Sequence, residues 1–215
     1  MKKASNPLFS FKYLFYDFVK VTSALPGLLW FRPKWVYESP EARRKIRGGA
    51  ILIANHERFF DPIYVMFAVW YRRHRFVCSK EIYNSKGGWF FRRFLCIPVD
   101  RENFALSTLR QIAGEIKAGS LISMFPEGHI SLSDGKMDAF KSGMVLMALQ
   151  GSAPIIPIYM KRGAHFYNRL RIAVGERVDV VARYGPRPTM SQIEEVAAQL
   201  QRKEEELKKL VETTR

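Results

Sequence analysis

The chain has 215 residues, 47% hydrophobic and 26% charged, a globular composition that excludes a disordered or fibrous polymer. That length suits one large domain, or one domain with an appendage, and is enough for a sizeable core. Lys and Arg number 35 against 20 Asp and Glu, and the resulting +15 favours anionic partners: nucleic acid, an anionic bilayer or phosphorylated substrates.

Residues 8–25, LFSFKYLFYDFVKVTSAL, follow a helical period of about 100° per residue. Leu8, Phe11, Leu14, Phe15, Phe18, Val19 and Leu25 share one sector; Ser10, Lys12, Tyr13, Tyr16, Asp17 and Lys20 fill the opposite one. Pro26 and Gly27 are expected to end the helix before the run LLWF. Two readings stay open: a surface helix packed on the domain, or an interfacial helix lying in a bilayer surface. The Phe-rich sector, flanking Lys and nearby Trp30 suit the second. No window approaches the roughly 18 uncharged apolar residues of a spanning helix. Lys12, Asp17 and Lys20 interrupt any signal-peptide core, so the chain is expected on the cytosolic side.

Ser39 and Pro40 resemble an N-cap and first helical residue for EARRKI. Strands are then predicted at 50–54, 75–79, 94–99, 120–125 and 154–160, with further ones at 170–174 and 178–184. Helices are predicted at 61–71, 81–92, 104–118 and 140–150. Cys78 and Cys96 each lie in an apolar segment, as reduced buried thiols do. Ser191 and Glu194 form a capping box for a last helix, 192–212, whose KEEELKK run reads as a solvated face. This alternation predicts an α/β fold: a mostly parallel sheet flanked by helices, with an N-terminal amphipathic helical membrane-binding element. The expected divisions are 1–34 (membrane-associating segment), 35–188 (α/β domain) and 189–215 (charged helix).

Three polar clusters each follow a predicted strand: Asn55–His56, Asp100–Arg101 and Pro126–Glu127–Gly128–His129. In an open parallel sheet, ligands bind outside the carboxyl ends of strands, so parallel strands would bring the clusters to one edge. His56 and Asp61 have the composition of a general base with its orienting carboxylate. Asp61 before Pro62 also suits a helix N-cap, and that alternative stays open here. No G-x-S-x-G is present and no serine or cysteine stands out as a nucleophile, which implies that the substrate brings the hydroxyl. Zinc-ligand spacing, a Walker A loop and G-x-G-x-x-G are all missing. Arg101 suits bidentate phosphate binding or a surface ion pair.

At these residues the sequence resembles the lysophosphatidic acid acyltransferase (1-acylglycerol-3-phosphate O-acyltransferase) family. The family's N-H-x4-D stands as NHERFFD, its D-R strand as IPVDR (97–101), its F-P-E-G-T-R-S as FPEGHIS (125–131), and its V-P-I-type strand as APIIPIYM (153–160). The resemblance covers about residues 35–185. It implies that His56 deprotonates the acceptor hydroxyl and Asp61 orients it. Arg101, with the Glu127–Gly128 turn, would bind the acceptor's phosphate. The acyl donor would be acyl-CoA or acyl carrier protein, the acceptor a lysophospholipid, with no metal or cofactor and no nucleic acid. The protein would sit peripherally or monotopically on an anionic membrane surface at the cytoplasmic face. Some bacterial relatives carry an amphipathic two-helix element similar in kind to residues 8–31. Two departures stand out. Arg58 occupies a position where the family often has Ser, and His129–Ile130 replaces Thr-Arg. Arg58, His129, Lys136 or Lys141 would then supply phosphate contacts, or the acceptor is another lysolipid or an amino-lipid precursor. The competing class is a non-catalytic binder of anionic membranes or nucleic acid, with salt-sensitive binding indifferent to His56.

Overall fold

The structure, a computed structural model, describes residues 13–100, 105–128, 140–163 and 168–214. Among them, β1 (Lys34–Tyr37), β2 (Ala50–Ala54), β3 (His74–Ser79), β4 (Ile97–Val99), β5 (Leu121–Met124), β6 (Ile155–Arg162) and β7 (Leu170–Val174) form one sheet. Its order is β1-β7-β6-β2-β5-β3-β4. Every pairing is parallel except β6 with β7, so β6, β2, β5, β3 and β4 all end on the same edge. β2 is central and wholly buried, which explains its unbroken apolar run. Alternation sends Ala50, Leu52 and Ala54 to one face and Ile51 and Ile53 to the other.

The first face is covered by α1 (Leu14–Phe31) and α2 (Asp61–Ala68), the second by α5 (Leu106–Lys117), α6 (Gly143–Gly151) and α8 (Met190–Thr213). Gly49 lets α5 approach: a Cβ there would stand 2.0 Å from the Ile116 carbonyl oxygen. Cys78 on β3 and Cys96, just ahead of β4, are reduced thiols in mutual hydrogen-bond contact, and that contact with burial raises the Cys96 pKa.

Several expectations are corrected. The first helix does not stop at Pro26 but runs to Phe31. Its C-terminal half is docked: Gly27 lies against the Phe67 ring, and Phe31 packs on Tyr64 and Phe67. This packing offsets the one backbone bond that proline removes. The stretch 81–92 divides into α3 (Lys80–Asn84) and α4 (Gly88–Arg93) at Ser85–Gly87. Phe94 ends α4, and Leu95 takes a positive φ of 56°, so the next strand starts only at Ile97. Residues 178–184 are an isolated bridge at Val178 followed by α7 (Val180–Tyr184), capped by Asp179. EARRKI is a turn, although Ser39 Oγ does accept the Ala42 N–H. Thr189 and Gln192, not Ser191 and Glu194, form the capping box of α8. Nor is KEEELKK simply solvated: Leu200, Glu204, Leu207 and Val211 form a buried stripe at helical spacing.

The polar sector of α1 is the one that grips the domain. Tyr16 is buried and its hydroxyl accepts the His74 N–H at 2.9 Å. Asp17 takes a bidentate pair from Arg73, and Lys20 donates to the Arg72 carbonyl. Phe15 and Val19 lean on the core, but Leu14, Phe18, Val21, Leu25 and Leu29 are more than half exposed. The predicted positions Leu8, Phe11 and Lys12 lie outside the described residues. No helix among the described residues is long and apolar enough to cross a membrane.

Candidate active site

Strand β2 delivers Asn55 and His56 to the sheet edge, where the chain must turn sharply into α2. Asp61 makes that turn. Its Oδ2 accepts the backbone N–H groups of Glu57 and Arg58, each at 2.7 Å, and lies 3.1 Å from His56 Nδ1. Asp61 is the first residue of α2 and gives the helix no side-chain cap, so its carboxylate serves the turn and the imidazole. With Nδ1–H donating to Asp61, Nε2 keeps its lone pair. The two side chains are 15% and 7% exposed, a shielded pair that solvent still reaches.

Neighbouring strands hold this turn from both sides. On β6, the Met160 N–H donates to Asn55 Oδ1 at 2.8 Å, and Asn55 Nδ2 donates back to the Met160 carbonyl. Tyr159 donates its hydroxyl to Glu57 Oε1, which also accepts from Asn55 Nδ2. Burial, then the nearby Glu57 charge, pushes the Tyr159 hydroxyl pKa up, so it remains a donor. Beyond β5, Phe125 stacks on the His56 ring with centroids 4.0 Å apart. Glu127 is buried and accepts the His56 backbone N–H at 3.3 Å, so this acid ties one turn to the other. Gly128 has φ +77°, a conformation that favours glycine in so tight a turn. Lys141 Nζ would lie 3.8 Å from a Cβ added at Gly128.

Two of the three predicted clusters thus meet at one edge. Asp100 directly follows β4 on that edge, where it pairs with Lys80. Among the described residues, no serine, threonine or cysteine bonds the His56 ring, and no three acidic, His or Cys side chains are grouped to hold a metal ion. What the site offers is a carboxylate-held imidazole facing an open edge, with cationic side chains beside it.

A model of the acyltransferase family matches residues 35–161, a stretch that holds all of the motifs above. The chain belongs to the acyltransferase family. It is 32% identical over 111 residues to the 1-acyl-sn-glycerol-3-phosphate acyltransferase of Streptococcus pneumoniae (strain ATCC BAA-255 / R6), covering 50% of this chain and 40% of that protein. The Bacillus subtilis (strain 168) protein of the same name is 27% identical over 111 residues, 51% of this chain and 54% of its own. The chain therefore spans about half the length of the curated relatives it matches. The crystal structure of the 1-acyl-sn-glycerophosphate acyltransferase PlsC from Thermotoga maritima superposes with a TM-score of 0.62, covering 93% of this chain and 80% of that one. At 20% identity that likeness is one of fold.

Within this acyltransferase frame the remaining predicted residues divide. Arg58 and Lys141 are exposed at the rim of the site. Arg101 and His129, with Lys136, lie outside the described residues. Sequence reasoning assigned no role to Asn55, Glu57, Phe125 or Tyr159. Asn55 and Phe125 stood inside the motifs, flanking His56 and Glu127, and that adjacency was the available signal. Tyr159 also stood inside a motif, APIIPIYM, but only the fold brings its hydroxyl to Glu57.

Proposed function

We propose that this chain is an O-acyltransferase that moves a fatty acyl group from acyl-CoA or acyl carrier protein to the free hydroxyl of a lysophospholipid, 1-acylglycerol-3-phosphate first among them. The observation that carries this reading is the His56–Asp61 contact at an open sheet edge, with no nucleophile among the described residues bonded to the ring. His56 Nε2 takes the proton of the acceptor hydroxyl as its oxygen attacks the thioester carbonyl carbon. The tetrahedral intermediate collapses with loss of the C–S bond, and the imidazolium returns its proton to the leaving thiolate. Asp61 holds the tautomer and stabilises the transient cation. Arg101, Arg58, His129 and Lys141, with the Glu127–Gly128 turn, bind the acceptor's phosphate. The reaction as written uses no metal or cofactor. The exposed Phe/Leu face of α1 lies in one leaflet at the cytoplasmic face, so that residues 1–34 act as the membrane-associating segment.

One observation favours a second acceptor class: His129–Ile130 stands where the family has Thr-Arg, which removes a cation and suits a lysolipid with a different head group. Labelled acyl-CoA and acyl carrier protein, offered with a lysolipid panel to the wild type and His56→Ala, separate these readings. A diacyl product from 1-acylglycerol-3-phosphate, lost in the variant, supports the first. Product only from another acceptor supports the second, and product formed equally by His56→Ala overturns the mechanism.

A further inference from the structure

A second exposed apolar element lies beside α1. Helix α4 carries Gly-Trp-Phe-Phe-Arg-Arg, and its Trp89 and Phe90 are 53% and 41% exposed. The two rings are not isolated. Phe15 of α1 meets Trp89 edge-on at 6.2 Å and Phe90 at 6.3 Å, while Phe94 beneath anchors Phe15 and Phe90 to the core. Leu14, next to Phe15, and Phe18, one turn further on, are exposed as well. The α1 and α4 faces are therefore one continuous apolar surface. Cations frame it: Arg93 lies over the Phe15 ring, Arg92 lies over Tyr83, and Lys86 is exposed in the α3–α4 turn.

We infer that α4 is a second lipid-facing element, which docks beside α1 on an anionic bilayer. This rests on the bilayer-bound reading of α1 above. Tryptophan and phenylalanine rings rimmed by Arg and Lys have the composition of a membrane–water interface. A chain of net charge +15 is complementary to anionic head groups. The rings bury their apolar bodies among the acyl chains while Arg92, Arg93 and Lys86 stay at phosphate level. Contact at two places, fixed to one another through Phe15 and Phe94, sets the rotation of the domain on the membrane. A single helix would leave it free to roll about its axis.

The test uses single-tryptophan full-length chains. One keeps Trp89, with Trp30, Trp35 and Trp70 changed to Phe; a second keeps Trp30 of α1. Both are mixed with vesicles of equal parts phosphatidylcholine and phosphatidylglycerol, with or without brominated acyl chains, after circular dichroism has shown that they fold. The expected result is strong bromine quenching and a blue shift for Trp89 as well as Trp30, and loss of both on pure phosphatidylcholine. Quenching of Trp30 alone overturns the α4 contact while leaving α1 in the bilayer. Failure of both chains to float with vesicles overturns both readings. A Trp89 shift that grows with protein concentration without lipid assigns this surface to a second copy and overturns the proposal. If Trp89→Ser/Phe90→Ser folds, it should float several-fold less well than wild type; unchanged flotation overturns the contact independently.

Discussion

Asp61 Oδ2 sits 3.1 Å from His56 Nδ1 while accepting the backbone N–H groups of Glu57 and Arg58 at 2.7 Å. One oxygen closes the turn and holds the imidazole, so conservative and drastic substitutions should separate the two roles. In Asp61→Asn, the amide oxygen still accepts the two N–H groups, but a neutral amide stabilises no imidazolium. Its kcat should fall by on the order of 10²–10⁴-fold with little change in thermal stability, and His56→Ala should match it. Asp61→Ala leaves two shielded donors unpaired and should lose about 1–3 kcal/mol of stability besides. Denaturant titration alongside acyl-transfer kinetics distinguishes them, and near-wild-type kcat in folded Asp61→Asn would reduce Asp61 to a turn residue.

Arg58 is exposed in the turn between His56 and Asp61, where its backbone N–H donates to Asp61 Oδ2 and its carbonyl accepts the Asp61 N–H. If its guanidinium compensates for Ile130, Arg58→Ser should raise the KM of phosphate-bearing acceptors by roughly tenfold, the loss of one charge-assisted hydrogen bond of about 1.5 kcal/mol. The KM of the acyl donor should hold steady. Arg101→Ala should behave in the same way. A KM panel over acceptors with and without phosphate checks both; equal shifts for donor and acceptor would mean that these residues shape the site.

Much of the fold was legible because burial leaves strong marks on sequence. β2 was an uninterrupted apolar run, and its bounds agree with the structure at both ends. The polar residues after β2 and β5 pointed to a shared edge because parallel strands leave no other place for them. The misreadings have a common cause. Pro26 and Gly27 are local stop signals overruled by contact with Phe67, which no local pattern displays. Helix α8 hid its buried stripe because a glutamate, Glu204, occupies one of its seven buried positions. The α1 wheel grouped Phe15 and Val19 with the exposed Leu14, Phe18 and Leu25, whereas they dock beside Tyr16, Asp17 and Lys20 of its polar sector.

That inversion gives the next expectation. Phe18, Val21, Leu25 and Leu29 are exposed, whereas Phe15 packs on Phe94 at 5.7 Å and belongs to the fold. Replacing the four exposed residues with Gln, a good helix former, should leave the melting temperature within a few degrees of wild type. Flotation with anionic vesicles should be lost, together with activity on vesicle-borne lysolipid, while a short-chain, water-soluble acceptor is still used. Unchanged flotation would end the α1 bilayer reading.

Glu204 completes the set. Its carboxyl is fully buried in the α8 stripe, and neither oxygen has a hydrogen-bond partner among the described residues. Burial first, and the nearby Glu127 second, raise its pKa well above the ordinary carboxylate range. Several charges on α8 and its packed neighbours are engaged with one another: Lys203 with Glu38, Lys161 with Glu212, and Arg171 with the Val211 carbonyl. The Tyr159 hydroxyl on β6 donates its hydrogen bond to Glu57. The folded chain thus keeps a proton on Glu204 that the unfolded chain has released, so stability falls as pH rises from the ordinary Glu range toward the raised pKa. The slope approaches about 1.4 kcal/mol per pH unit for one proton. Glu204→Gln has no such proton, so its stability relative to wild type should climb as pH rises above the ordinary Glu range. His74, held by Ser123 and the Val69 carbonyl, is pushed by burial to about 3 and destabilises the fold on the acid side. It is common to both proteins and cancels in the difference. Denaturant unfolding of the pair across this range checks the slope, and a pH-independent difference would mean that Glu204 is ionised in the native state.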